Sequence, residues 1–411
     1  MTAHIIASEE EALKVADELR LFLESGAAGR DRTPTPPQAE LDWLSASGIL
    51  AITIPRAFGG AGVSYETIAR VFQLLSAGDP AVAQMVQSHY LFLEAVGEDG
   101  TPEQQAHFFG EILAGARLGN AQAETGGSSA LNLATSLLPD GAGGYRLNGK
   151  KYYCTGALLA HWLPVAAFDE ENRFVLAFVS RQAPGVQVLD DWDSFGQRVA
   201  YSGTAILTDV AVPASHVIPH YKLFERTAIF HPYAQLLHTA IDVGIAQNAL
   251  ADALATVRAR KRPRLGAAVA TATEDPHVIL RFGQLVTQFH AAELLLAHAG
   301  RALDAARANL TEENAASAAV AVAEAKAYAE DVALAIATDI FSLSGTSSTE
   351  RARNLDRHWR NIRTHSVHDA NHWRYHVAGD YLLNGTLPAK PVRKRAQDSI
   401  TSLSSNREFS T

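Results

Sequence analysis

Three long helix-period segments fill the C-terminal half of this chain, at residues 233–260, 277–308 and 315–343. Each exceeds the usual three to four turns of a globular helix, roughly 10–14 residues. Helices this long are stable in water only when neighbours cover their apolar stripes. The run Ala315-Ala316-Ser317-Ala318-Ala319-Val320-Ala321 permits close helix approach. With a fourth helix over Trp359 to Asp369, the pattern predicts a four-helix bundle.

Upstream, the period changes. Residues 8–118 also read as helical, with Ser8 as an N-cap ahead of Glu9, Glu10 and Glu11. The segment 34–37 breaks the pattern, and Gly59-Gly60-Ala61-Gly62 forms a loop. Helical patterns resume at 65–77, 81–96 and 102–114. From 119 to 222 the period shortens towards two, with strand-like runs at 162–168, 173–179, 186–189 and 204–212. The Asn148-Gly149 step among alternating residues predicts a hairpin turn. The expected organisation is mainly α with a central β domain: a helical domain at 8–118, a β domain at 119–222, a bundle at 223–388 and a flexible tail at 389–411.

Composition narrows the function. A net charge of -9 and a pI near 6.0 argue against a nucleic-acid partner. The basic run 390–395 lies in the Pro-containing tail and reads as a solvated end. One cysteine, Cys154, excludes an internal disulfide and suits a reducing compartment. No apolar run predicts a signal core or a membrane span. A cytoplasmic protein, without a membrane or nucleic-acid partner, is expected.

The stretch Trp359-Arg360-Asn361-Ile362-Arg363-Thr364-His365-Ser366-Val367-His368-Asp369 crowds titratable groups into a few turns. On a helix, His365 and His368 share a face. Such a cluster reads first as a site; the other reading is two buried histidines bonded to backbone. Arg360 and Arg363 read as structural partners for Asp356 or Asp369. His372 and His376 are expected to continue the same helix. A metal site is not predicted, since no third ligand is evident.

Several segments together resemble the acyl-CoA dehydrogenase superfamily over about 10–388: Pro55-Arg56-Ala57-Phe58-Gly59-Gly60-Ala61-Gly62, Gly119-Asn120-Ala121-Gln122-Ala123-Glu124-Thr125, Tyr153-Cys154-Thr155-Gly156 and Arg281-Phe282-Gly283. The resemblance implies the acyl-CoA dehydrogenase fold: an N-terminal helical domain, a β-barrel-like middle domain and a C-terminal four-helix bundle. The Glu-Gly-Thr segment that carries the dehydrogenase base is absent, and Asp369 falls at or beside its position. Asn354-Leu355-Asp356-Arg357-His358-Trp359-Arg360-Asn361 and Asp190-Asp191-Trp192 with Phe195-Gly196-Gln197-Arg198 instead resemble the flavin-dependent monooxygenases of this fold. That group is the dibenzothiophene monooxygenase-like one, with SfnB-type sulfur-acquisition oxidoreductases as the nearest resemblance.

That subgroup implies oxygenation of a small organosulfur compound through a flavin C4a-(hydro)peroxide. Reduced FMN, with FAD as the alternative, would come from a separate NADH-dependent reductase, and O₂ would be the co-substrate. The resemblance implies His365 and His368 on the peroxide side, and Thr155, Asn120 and Thr125 along the flavin edge. Trp192 would cover the ring or wall the pocket; otherwise it is a core tryptophan. His89, Tyr90, Phe230 and Tyr233 would face substrate, although His89 alone also fits a satisfied core histidine. Arg281, with Ser344, Gly345 and Thr346, would bind flavin phosphate across a subunit boundary, which requires an oligomer, expected to be a homotetramer. The competing readings are an acyl-CoA dehydrogenase-like FAD enzyme with Asp369 as base, and a helical oligomer without catalysis.

Overall fold

The computed structural model describes residues 3–125, 132–260, 263, 266, 268–389 and 394–395. Five helices come first: α1 (Glu9–Arg32), α2 (Gln38–Ala46), α3 (Tyr65–Gly78), α4 (Pro80–Asp99) and α5 (Pro102–Leu113). The start of α1 is set as expected. Ser8 accepts a hydrogen bond from the Glu11 N–H, and three glutamates occupy the first turn. Its buried Ala12, Ala16, Leu19 and Leu23 make one stripe at helical spacing.

Eight strands follow: β1 (Asn132–Leu133), β2 (Ser136–Pro139), β3 (Gly144–Lys151), β4 (Trp162–Phe168), β5 (Phe174–Ser180), β6 (Val186–Val188), β7 (Ala205–Pro213) and β8 (Val217–Ile218). Seven of them form one sheet in the order β6-β7-β3-β2-β4-β5-β8, antiparallel except for β2 with β4. The edges β6 and β8 are not paired with each other, so the described sheet is open rather than closed into a barrel.

The central strands alternate in the way a sheet buried on both faces must. Ala166, Phe168, Phe174, Leu176 and Phe178 pack against Phe92, Phe108 and Phe109 of the N-terminal helices. Leu163, Val165, Ala167, Val175, Ala177 and Val179 form a second core with Leu147, Leu207 and Val210.

The hairpin expected at Asn148-Gly149 is not there. Both residues lie inside β3, at a register shift against β7 between Leu147 and Gly149. Asn148 Oδ1 accepts from the Asp209 N–H at 2.8 Å, so the pair serves a β-bulge. The turn joining β2 to β3 is instead built by Asp140, whose carboxylate accepts from the Ala142 and Gly144 N–H groups.

The C-terminal helices are α6 (Phe230–Ala259), α7 (Pro276–Ala308), α8 (Glu312–Ser344), α9 (Asp356–Ser366) and α10 (Asn371–Asn384). Residues 235–246 of α6 are buried on every side, so α6 is the central rod. Gly244 permits this: a Cβ there would meet the Gln73 carbonyl of α3 at 2.5 Å. The buried stripe Ala325, Ala329, Ala333 and Ala337 lies on α8.

The fourth long helix of the expected bundle is two short ones. α9 ends at Ser366, His368 sits in the turn beyond it, and His372 and His376 belong to α10. Part of the expected tail is also tied down: Lys394–Arg395 (β9) pairs in parallel with β1, while 390–393 and 396–411 lie outside the described residues. Among the described residues, no helix is long and apolar enough to cross a membrane.

Candidate active site

Two segments distant in sequence dock on each other and set the site. The loop carrying Phe195, Gly196 and Gln197 lies on α9. The Gln197 N–H donates to Asn361 Oδ1 at 2.8 Å, and Arg360 Nη1 donates to the Phe195 carbonyl at 2.8 Å. Phe195 stacks on Trp359 at 6.1 Å. Gly196 is required, since a Cβ would meet the Arg360 carbonyl at 2.0 Å. Arg360 is fixed by Asp31 and Asp356, giving it the structural role expected from its charge.

Behind that loop, the backbone leads to the Tyr153-Cys154-Thr155-Gly156 turn. The Trp192 indole N–H and the Ala200 N–H both donate to the Gln197 carbonyl, and the Gly156 N–H donates to the Ala200 carbonyl. Gly156 has φ 71° and lies against Met85 of α4, where a Cβ would be 2.6 Å from the carbonyl oxygen. Thr155 Oγ1 is 2.9 Å from Ser202 Oγ. Asn120 donates its amide to the Tyr153 carbonyl at 3.1 Å, while its own Oδ1 is buried with no hydrogen-bond partner. Tyr153 is exposed, and Trp192 is half-buried 6.2 Å from it. Hydroxyls, an amide with a free acceptor and two aromatic faces suit a flat heterocycle with polar edges, such as a flavin. Thr125 is exposed at the limit of the described segment.

On the other side of Asn361, one turn further along α9, is His365. It is 0 % exposed by side chain, with Nδ1 2.6 Å from Asp242 Oδ1 and Nε2 3.0 Å from His238 Nδ1. His238 stacks on His368 at 4.3 Å between ring centroids, with 26° between planes. His368 itself is exposed at the outer end. The two motif histidines therefore meet through a third, from α6, rather than as neighbours on one helix face.

Sequence reasoning missed His238, Asp242, Lys326 and Glu330. A signal was present: His238 and Asp242 are four apart inside the apolar run of α6, where an ionisable pair needs a partner. Lys326 Nζ lies 3.5 Å from Asp242 Oδ2. Burial pushes the Asp242 carboxyl up, but His365 and Lys326 outweigh it and hold the group below the ordinary carboxylate range. Burial lowers His238 far below the usual imidazole value, and its cationic neighbours add to this. Burial and the Asp242 charge push Glu330 up to about 7.

Other expected residues sit elsewhere. Asp369, at or beside the expected base position, is ion-paired to Arg374 of α10 rather than to Arg360 or Arg363, and Asp242 orients His365. His89 is 0 % exposed. Its Nε2–H donates to the Leu50 carbonyl at 2.9 Å, and Nδ1 accepts from the Leu118 N–H at 3.1 Å. With both nitrogens on backbone, it ties α4 to the loops and has no atom left for substrate. The Tyr90 hydroxyl donates to the Ile49 carbonyl inside the same core. Tyr233 is buried 4.9 Å from Tyr65, and Phe230 packs 5.0 Å from His220. His89, Tyr90 and Tyr233 are enclosed by packing, while Phe230 is half-buried at the start of α6.

Arg281 is ion-paired to Asp339 of α8 and donates to Gln284. Ser344 closes α8 with its hydroxyl buried and unpartnered, and Gly345 and Thr346 follow it at the same end.

Comparison with known proteins agrees with this fold. The N-terminal, middle and C-terminal domain profiles of acyl-CoA dehydrogenase match residues 9–116, 122–210 and 236–373. A dibenzothiophene monooxygenase from Rhodococcus qingshengii is 30 % identical, over 93 % of this chain and 95 % of the relative. A probable FMNH2-dependent monooxygenase, SfnC, from Pseudomonas putida is 31 % identical over 95 % and 99 %. The crystal structure of FMN-bound TdsC from Paenibacillus sp. A11-2 superposes with a TM-score of 0.87 at 29 % identity, covering 92 % of this chain and 98 % of that one. The chain belongs to the acyl-CoA dehydrogenase family, in its branch of flavin-dependent monooxygenases.

Proposed function

We propose that this protein uses reduced FMN and O₂ to oxygenate a small organosulfur compound. The observation that carries the reading is the buried Asp242–His365–His238 chain, held one helical turn from the loop that supports Thr155 and Trp192. Bound reduced flavin would supply the electrons that activate O₂, with one oxygen atom going to the substrate and the other leaving as water.

The residues supply placement and protons. Asn120, Thr155 and Ser202 offer an acceptor and hydroxyls to the flavin edge, and Tyr153 and Trp192 offer ring faces. His368 offers a proton to the reacting oxygen, and the buried His365 stands behind it, where a water-poor setting strengthens its hydrogen bonds. The dehydrogenase reading lacks a free base, since Asp369 is paired to Arg374.

A separate NADH-dependent reductase supplies the reduced flavin in this proposal, and the buried, single Cys154 suits a reducing cytoplasm. The oligomer is a homotetramer. Exposed Ile279, Leu280 and Leu294 on α7, and Leu382 and Leu383 on α10, are apolar faces of the kind that subunit contacts cover. Across such a contact, Arg281 with Ser344, Gly345 and Thr346 would meet flavin phosphate.

The test is spectroscopic and chemical. The purified protein is expected to be colourless, to bind reduced FMN anaerobically, and to convert an organosulfur compound with O₂ only when a reductase is present. A tightly held oxidised FAD that bleaches anaerobically with an acyl-CoA would overturn the proposal.

A further inference from the structure

α6, α8 and α9 bury an ionisable array in which His365 alone belongs to the family-like motifs, and its hydrogen bonds have a direction. Asp242 is a carboxylate, held so by His365 and Lys326, and a carboxylate only accepts. The His365 Nδ1 at 2.6 Å from it therefore carries a proton. In neutral His365, Nε2 is then a lone pair, and the His238 Nδ1 at 3.0 Å must donate to it. That leaves His238 Nε2 without a proton.

Adding one proton reverses the second hydrogen bond. A proton arriving on His238 Nε2 lets the Nδ1 proton of His238 pass to His365 Nε2. His365 becomes an imidazolium beside Asp242, and its Nε2–H now donates to His238 Nδ1. No heavy atom moves, one proton enters, and Nε2 of His238 changes from acceptor to donor. The reverse transfer releases the proton again.

We infer that His238 is a positioning residue that relays a proton between the interior His365–Asp242 pair and the side of the site lined by His368. This rests on the proposed oxygenation, in which that side faces the reacting oxygen. Lys326 of α8 opposes a second positive charge, as does Arg374 of α10, whose own charge Asp369 offsets; Arg363 of α9 and Asp331 of α8 act on the adjoining Glu330. Asp242 and Glu330 favour the single added proton. Glu330 lies one turn beyond Lys326 on α8, with Oε2 buried and unpartnered, and burial and Asp242 push it up to about 7.

Two measurements test the relay. Neutron diffraction on flavin-free crystals at neutral pH is expected to find hydrogen on Nδ1 of both His365 and His238, and none on His365 Nε2. Hydrogen on His365 Nε2 in the neutral ring would overturn the inference. Second, His238→Asn places an N–H where ring Nδ1 stood but offers no second nitrogen. It is expected to keep wild-type thermal stability and reduced-FMN affinity. Product formed per O₂ consumed should fall about tenfold or more, and the acid limb of the kcat/KM–pH profile should disappear. Asp242→Asn should move that limb to lower pH, because an imidazolium without its carboxylate loses its proton more readily. Wild-type coupling with a wild-type pH profile in His238→Asn would reduce His238 to packing. If no organosulfur compound is turned over by the wild type, the oxygenation reading fails instead, and the hydrogen positions still decide the relay.

Discussion

His365 and His368 differ in what surrounds them, so they should differ in what their loss does. His365 is enclosed between Asp242 and His238, and its truncation would leave a buried carboxylate short of a partner. His368 is exposed, and its ring meets the array only by stacking on His238. His368→Ala should therefore preserve folding and reduced-FMN affinity while diverting O₂ to H₂O₂ at the expense of product. A peroxide assay beside product analysis checks this, and unchanged coupling would remove His368 from the chemistry. His89 marks a limit of reading at this scale. Its place in an apolar helix was plain in the sequence, but both its ring nitrogens bond to backbone from segments 39 and 29 residues away. Only the fold could show that no nitrogen remained for substrate.

Between elements, the contact that matters is the seating of the Phe195–Gln197 loop on α9. Asn361 satisfies a buried backbone N–H of that loop and stands one turn before His365. Asn361→Ala should cost about 1–3 kcal/mol by stranding the Gln197 N–H, seen as a lower urea midpoint at unchanged slope. If the loop also aligns α9, product per O₂ should fall with it. Loss of stability with intact coupling would mean that α9 is held elsewhere. The segments that dock here are those that most resembled the monooxygenase group, so the sequence named both sides of the contact without revealing that they touch. The Asn148-Gly149 step misled because the same pair serves a tight turn and a β-bulge; cross-strand pairing, which local pattern does not encode, chose the bulge.

For the molecule as a whole, buried titratable groups predict how stability follows pH. Burial lowers His89 and His358 from near 6.5 to about 4. Between these values the unfolded chain binds the extra proton, so stability drops as pH falls from about 6.5 to about 4. The loss is on the order of 3 kcal/mol for each histidine. Glu330, raised to about 7, acts in the opposite sense, losing stability as pH rises from about 4.5 to 7. His238, also lowered by burial, acts with His89 and His358 against Glu330, and the urea midpoint should be lower at pH 5 than at pH 7. An equal or higher midpoint at pH 5 would mean that the histidines are not held neutral in the fold. Assembly gives a second expectation at this scale. Arg281→Ala should raise the Kd for reduced FMN about tenfold, roughly 1.4 kcal/mol for a lost phosphate contact. Wild-type affinity, by fluorescence quenching, would leave Arg281 with the Asp339 ion pair alone.

The order helical, β, helical was written in the sequence, because the period of apolar residues reports which face each element must bury, and that requirement is local. The long helices and the Ser8 cap were legible on those terms. The tertiary structure alone decided which charges meet. Asp242 and His238 come to His365 from more than 120 residues away, Lys326 arrives from a third helix, and His368 falls outside the helix that was to carry it. A buried ionisable group is tolerable only with a partner in three dimensions, and nothing in the spacing of residues along a chain specifies which distant helix will provide one.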